Sequence, residues 1–372
     1  ASGGPGRRGS ARGDLVTRLK VVVLYGGRSV EREVSRVSAR TIVQALDRSK
    51  YDVIPLAVGE NGRFLSAADS THLLAEGPVP ERIRRAEPVG DALVPVEIAP
   101  GRADIVFPII HGTTGEDGTL QGFLDFLGIP YVGAGVTGSA IGMDKPVFKA
   151  LLNGAGIATS RSVVIRPSDR GAKARELVAR LPLPLFVKPA MGGSSVGVTK
   201  VKDFARLDAA LDEAFRYDDR ALVEEGIDAR ELECAVLGDE EPRASVAGEV
   251  VPAREFYDYD DKYRDDKATF VIPADVPENV SDEVRRLAVE AFRLCGLSGM
   301  ARVDFFLERE TNRVLVNELN TLPGFTAISM YPKLWEASGV PLQELLDELI
   351  SLALARKEKR ERLSHEPPAE LA

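Results

Sequence analysis

The sequence predicts a mixed fold in three lobes, α/β at its start and α+β beyond. Three observations carry this. Apolar, buried-type runs alternate with helical patterns over residues 20–140, the signature of a parallel sheet with crossover helices. Two later segments, 301–307 and 314–320, alternate apolar and polar residues with period two and read as neighbouring strands. Finally, 372 residues exceed what one hydrophobic core serves, so two or three domains are expected.

The first strand is the apolar run Leu19 to Tyr25, ended by Gly26 and Gly27. A helix follows, with apolar residues at Val34, Val37, Ile42, Ala45 and Leu46. Tyr51 to Val58 gives a second strand and Asp104 to Ile110 a third. The glycine-rich loop His111 to Gly118 leads into a helix over Leu120–Leu127 and a short strand over Pro130–Val132. This order makes residues 20–140 a Rossmann-like sheet, with a Pro-rich excursion over 62–103.

Asp144 is placed to cap a helix from Lys145 to Leu152, with Pro146 in its first turn and Gly154 and Gly156 at its end. Strands follow at Ser162–Ile165, Leu185–Lys188, Val196–Val201 and Ala221–Glu225, with a helix Phe204–Phe215 among them. Arg230 to Leu237, Ala247 to Val251 and the two alternating segments form a larger, mainly antiparallel sheet, completed by helices at 281–295 and 341–355. The Gly- and Arg-rich residues 1–19 are expected to be a disordered tail, and the charged residues 357–372 to fray.

Lys plus Arg number 48 against 57 Asp plus Glu, and the formal net charge of −9 favours neither nucleic acid nor an anionic membrane as partner. No apolar run reaches the ~20 residues of a membrane span. The run Val21–Tyr25 is too short for a signal peptide. Cys234 and Cys295 fall in expected core segments, imply no disulfide framework and suit a reducing cytosol.

The sharpest chemistry lies in the two alternating segments. Asp304 sits on one strand, and Glu318 and Asn320, two apart, share one face of the other. Three oxygen ligands with no His or Cys among them suit Mg²⁺. Arg302 shares the face of Asp304, where it could meet developing negative charge; the plainer alternative is a structural salt bridge to Glu318. Lys188 at a strand end precedes the Gly and Ser loop Met191–Gly197, which can bring backbone N–H groups to phosphate oxygens or simply be a hairpin. It is not a Walker loop.

Glu224, Glu225 and Ile227 end another strand, with Glu231 beyond, and fit an adenine edge and ribose hydroxyls or a solvated acidic turn. Glu31, after Gly26-Gly27, could bind an ammonium group. His111 lies in a strand-end loop of the same sheet as a polar contact or a loop anchor. The aromatic and charged stretch Phe256–Tyr263 reads as a loop, which by itself decides nothing.

Together these segments resemble the D-alanine–D-alanine ligase family of the ATP-grasp superfamily over residues 20–355. The strings that carry the resemblance are GGRSVEREVS at 26–35, HGTTGEDGTLQG at 111–122, GMDKPVFK at 142–149, KPAMGGSSVGV at 188–198, FYDYDDKY at 256–263, and ARVDFF with NELNTLPGFTAISMYP within 301–332. The resemblance implies a substrate domain at 20–140, a central ATP-grasp lobe with a glycine-rich lid at 141–225, and a C-terminal lobe with the metal site and a mobile loop at 226–356.

It also implies a role for each site residue. Lys145 and Lys188 contact ATP phosphates, and the loop with Gly193, Ser194 and Ser195 covers them. Glu224, Glu225 and Ile227 face adenine mainly through the backbone, and Glu231 takes the ribose. Asp304, Glu318 and Asn320 hold two Mg²⁺ (or Mn²⁺) ions. Glu31 binds the first D-alanine's ammonium and joins Ser194 and Tyr263 in closing the lid, with His111 nearby. Arg302 and the Gly324 N–H stabilise the oxyanion, Lys262 reaches the transferred phosphate, and Ser329 with Met330 holds the second substrate. Gly226 departs from the family, where many members carry a bulkier residue.

The implied activity is ATP-dependent ligation of two D-alanines through a D-alanyl phosphate, for peptidoglycan precursors, by a cytoplasmic homodimer. Related depsipeptide ligases often carry a His at the position of Tyr263; the neutral phenol adds no repulsion to an incoming amine. Three other readings compete. One is a sister ligase that joins D-lactate or D-serine. Another is a nicotinamide-dependent oxidoreductase, against which the absent G-x-G-x-x-G counts. The third is a silent nucleotide-binding module, which should have lost a metal ligand or a lysine.

Overall fold

The computed structural model describes residues 18–75, 83, 95–99, 101–251 and 269–364. Three sheets carry the fold. The first contains β1 (Leu19–Gly26), β2 (Tyr51–Val58) and β3 (Ile105–Pro108) in the order β2-β1-β3. All its pairs are parallel. Alternate residues of β1 enter different cores: Val21, Val23 and Tyr25 meet Ala39 and Ile42, whereas Val22 and Leu24 meet Leu120 and Leu124. Both faces are covered, which explains why β1 reads as an unbroken apolar run.

β4 (Ser162–Ile165), β5 (Leu185–Pro189), β6 (Thr199–Val201) and β7 (Ala221–Glu225) form an antiparallel sheet in the order β4-β7-β5-β6. Helices Ala172–Val178 and Leu207–Ala214 cover one face. The expected strand over Val196–Val201 starts only at Thr199, because Ser194 to Gly197 form a turn in which Ser194, Ser195 and Gly197 have positive φ.

The third sheet is antiparallel and runs β10-β9-β8-β11-β12, from β8 (Ala229–Gly238), β9 (Arg243–Val251), β10 (Thr269–Val271), β11 (Gly299–Glu308) and β12 (Val314–Asn320). Ala301, Val303, Phe305 and Leu307 pack against the helix Glu278–Leu294. The period of two therefore turns Arg302, Asp304 and Phe306 to the opposite face.

One core joins the parallel sheet to the helices Met330–Ala337 and Leu342–Glu361, with Tyr331, Trp335, Leu345 and Leu349 fully buried in it. The last helix continues to Glu361, into the segment expected to fray, while residues 365–372 lie outside the described residues. Arg356 donates to the carbonyls of Tyr131 and Gly133 and to Ser298 Oγ, and lies 4.5 Å from the Tyr131 ring centroid. One turn on, Arg360 reaches Asp125 at 2.5 Å.

At the other end β1 takes in Leu19, inside the expected tail, through a 3.0 Å bond from its N–H to Lys50 O. The expected strand Pro130–Val132 is a single bridge between Val106 and Tyr131. Helices Val136–Met143, Ala172–Val178 and Met330–Ala337 had no sequence expectation. Among the described residues no helix is long and apolar enough to cross a membrane.

Candidate active site

Two adjoining cavities lie where the sheets face one another. The larger, of ≈ 640 Å³, opens between the four-stranded sheet and the face of β8, β11 and β12 that carries Asp304. The smaller, of ≈ 140 Å³, reaches the loops at the ends of β1 and β3 and the segment after β12. Lys145, Gly192, Gly193, Arg302, Asp304 and Glu318 line both. A nucleotide-sized space thus meets one of amino-acid size.

Strand register builds the junction. Asp304 is opposite Glu318 on β12 and opposite Glu233 on β8, and Arg302 is opposite Asn320. The β11–β12 register shifts right after Asp304; such irregularities re-aim side chains beside active sites. Arg302 donates from Nε to Asp304 Oδ1 at 2.7 Å and from Nη2 to Oδ2 at 2.8 Å, and its Nε lies 3.0 Å from Glu233 Oε2. Burial would weaken the guanidinium as a base, but Asp304 and Glu233 outweigh it and hold its pKa well above the usual value. The salt bridge open to Arg302 on sequence grounds thus runs to Asp304 and Glu233, while Glu318 lies 3.3 Å from Lys145 Nζ.

Asp144 accepts from Val147 N at 3.1 Å and caps the helix Lys145–Gly154, as expected. That cap fixes Lys145, whose Nζ donates to Gly192 O in the loop. Lys149, one turn later on the same helix face, was not singled out from the sequence. It lies 2.8 Å from Glu224 Oε1, while Lys188 lies 2.5 Å from Oε2. Burial would raise the Glu224 carboxyl, but the two lysines hold it down at about 2. The solvated acidic turn is therefore wrong for Glu224, which is 3% exposed. The Glu225 carboxylate is bound by Arg161 at 2.6 Å. Gly226 N donates to Pro184 O at 2.7 Å, and a Cβ there would lie 2.9 Å from Pro184, so bulk at this position needs the turn to move. Ile227 and Glu231 line the larger cavity.

In the smaller cavity Ser194 Oγ donates to Glu31 Oε1, across 163 residues of chain. Ser194 and Ser195 hold φ of 51° and 57°, a left-handed pair that costs strain in non-glycine residues. Glycines let the loops approach Glu31: a Cβ on Gly112 or Gly193 would stand 3.2 Å from Glu31 Oε2. His111 Nδ1 lies 3.5 Å from Glu116 Oε1, and Glu116 Oε2 accepts from Gly112 N at 2.7 Å. Burial disfavours a charged His111, yet Glu116 and Glu31 overcome it and raise its pKa. Gly324 lies against Ser329, where a Cβ would meet Oγ at 2.9 Å, and Phe325 N donates to Ser38 Oγ. Met330 begins the helix Met330–Ala337 and lines the same cavity.

All the expected site residues line one or both cavities except Lys262 and Tyr263, which lie, with the loop Phe256–Tyr263, outside the described residues. Sequence reasoning passed over Lys149, Glu116 and Glu233. Helix spacing from Lys145 could have marked the first, and strand spacing from Glu231 the last.

The oxygen set of Asp304, Glu318 and Asn320 fits a hard divalent cation by charge and softness. Among the described residues no three His, Cys, Asp or Glu side chains already form a metal cluster. Asp304 and Glu318 are instead held by Arg302 and Lys145.

Family models for the N-terminus and C-terminus of D-ala D-ala ligases match residues 20–134 and 151–351. The chain is 49% identical over 361 residues to a D-alanine–D-alanine ligase A of Chromobacterium violaceum, covering 93% of this chain and 98% of that protein. A solved D-alanine-D-alanine ligase from Coxiella burnetii superposes with a TM-score of 0.81 at 40% identity, covering 93% of this chain and 96% of that one. The VanG D-Ala:D-Ser ligase from Enterococcus faecalis superposes with a TM-score of 0.77 at 34% identity, covering 91% and 100%.

Proposed function

The chain belongs to the D-alanine–D-alanine ligase family, and from that premise we propose that it uses ATP to join two D-alanine molecules for peptidoglycan precursors. Its fold is ATP-grasp. One observation carries the reading: the acidic pair Asp304 and Glu318 lies where the nucleotide-sized cavity meets the smaller one.

The first D-alanine lies in the smaller cavity with its ammonium on Glu31, His111 nearby. ATP lies in the larger one, with its phosphates beside Lys145 and Lys188 under Gly193, Ser194 and Ser195. Glu224, Glu225 and Ile227 face the base and Glu231 the ribose. Asp304, Glu318 and Asn320 would hold Mg²⁺ or Mn²⁺, which when bound neutralises charge on the triphosphate. A carboxylate oxygen of D-alanine attacks the γ-phosphorus and ADP leaves, giving D-alanyl phosphate. The second D-alanine, placed by Ser329 and Met330, attacks the acyl carbon with its amine. Arg302 and the Gly324 N–H receive the developing oxyanion, and phosphate departs. Acyl phosphates hydrolyse readily, so the Ser194–Glu31 bond has a clear use: it draws the loop over the cavity and excludes water. Lys262 and Tyr263 complete the lid and phosphate contacts in this reading. Buried free thiols at Cys234 and Cys295 favour a reducing cytoplasm, and the assembly we propose is a homodimer.

The test offers ATP and Mg²⁺ with D-alanine, L-alanine, D-serine or D-lactate separately and in pairs. Phosphate release with D-alanine and a D-alanyl-D-alanine product support the reading. Equal or greater incorporation of D-serine or D-lactate beside D-alanine would replace it with the sister activity.

A further inference from the structure

Asp304 is engaged twice. Its carboxylate receives two hydrogen bonds from Arg302, and the proposed function needs the same oxygens for a divalent cation. A guanidinium and a metal ion repel, so as Asp304 turns to the cation Arg302 loses both bonds while half-buried in the cavity wall. A half-buried arginine without an acceptor is costly and free to swing, and the oxyanion step needs it aimed.

Glu233 answers this. It faces Asp304 from β8 as Glu318 does from β12, so the three carboxylates form one row across adjacent strands. Its Oε2 is already 3.0 Å from Arg302 Nε, its side chain is almost fully buried, and it lines both cavities. A carboxylate is the acceptor whose geometry matches the guanidinium fork. Lys145 is turned to Glu318 and Gly192, so it does not compete for Glu233.

We propose that Glu233 is a positioning residue that takes over the Arg302 guanidinium when Asp304 moves to the metal. It thereby keeps Arg302 aimed at the acyl oxygen and stops it from competing for Asp304. The inference rests on the reading of Asp304 as a metal ligand and Arg302 as the oxyanion contact. No bond is made or broken by Glu233 itself, and its effect passes through Arg302.

A double-mutant cycle tests this. The affinity for Mn²⁺ is read by electron paramagnetic resonance with a non-hydrolysable ATP analogue, for the wild-type chain, Glu233→Gln, Arg302→Met and the double variant. Glu233→Gln should weaken Mn²⁺ binding about tenfold while Arg302 is present, as loss of a residue that orients a ligand does. In the Arg302→Met background it should change nothing. It should also raise the phosphate released per dipeptide formed, a ratio that a loss of stability alone does not move. Equal weakening in both backgrounds would make Glu233 a metal ligand and overturn the proposal; no weakening in either would overturn it too. Asp304→Asn is measured alongside. If it binds Mn²⁺ like the wild type, the metal reading itself fails and takes the proposal with it; if it binds weakly while the cycle fails, only the role of Glu233 is lost.

Discussion

The two cavities are assembled differently. Around the larger one, charges are set by register on contiguous elements: Glu224 by β7, Lys188 by β5, and Asp304 and Glu318 by the β11–β12 pair. Each is already paired, Glu224 with Lys149 and Lys188, Asp304 with Arg302, Glu318 with Lys145. The smaller cavity draws Glu31, His111, Ser194 and Gly324 from four separate loops. Sheet geometry sets the first site, whereas the second depends on loops that meet across the chain, Ser194 bonding Glu31 over 163 residues. Changes in the larger cavity should therefore act on chemistry and stability. Changes in the smaller one should act on coupling between ATP use and product.

The largest effect tests the sheet-built half. Glu318→Gln removes one charge from the junction and should lower turnover more than about 100-fold with the fold retained, because in the proposed function Glu318 would hold the metal charge that neutralises the phosphates. Near wild-type turnover with unchanged Mg²⁺ dependence would show that the register-built row is structural.

Next comes stability. Glu224→Gln leaves the buried Lys149 and the half-buried Lys188 without their carboxylate and should cost about 3 kcal/mol in denaturant unfolding at neutral pH. Glu224 is held down from 4.5 to about 2, so its contribution is present above 4.5 and lost as pH falls through 2. The deficit of the variant should shrink over that window, and a pH-independent deficit would contradict the pairing.

The loop-built half is broken more gently. Ser194→Ala removes the hydrogen bond to Glu31 and should weaken binding of the first D-alanine by roughly 1 kcal/mol. More ATP should then be hydrolysed per dipeptide. An unchanged ratio of phosphate to dipeptide would sink the closure account.

The smallest effect is at His111. Its pKa is raised, so it contributes stability that is fully present below its unfolded value of about 6.5 and lost as pH rises through the higher folded value. The stability difference between the wild type and His111→Gln should narrow as pH increases. A difference that grows with pH would mean that Glu116 and Glu31 do not hold the proton there.

The same contrast explains what the sequence revealed. Period-two alternation placed Arg302, Asp304, Glu318 and Asn320 on one face, because a strand pair needs only local pattern and register. Asp144 announced the helix that fixes Lys145. Glu31 and Ser194, 163 residues apart, came together in expectation only through the family resemblance, since no local pattern encodes a contact between loops. Lys149 and Glu233 lie within reach of helix and strand spacing, but what makes them matter is a partner on another element, Glu224 for Lys149 and Arg302 for Glu233, which no local pattern shows. The helix to Glu361 was misread because its last turns are charged, while Arg356 and Arg360 tie it to Tyr131, Gly133, Ser298 and Asp125.

The central claim is that the acidic row joins the two cavities so that a carboxylate oxygen in one attacks the phosphate in the other. D-alanine labelled with ¹⁸O in its carboxylate tests this directly. Incubated with ATP and Mg²⁺, it should deliver one labelled oxygen to the released phosphate for each dipeptide formed. Phosphate that carries no label while dipeptide accumulates would contradict the D-alanyl phosphate route and the joining of the cavities with it.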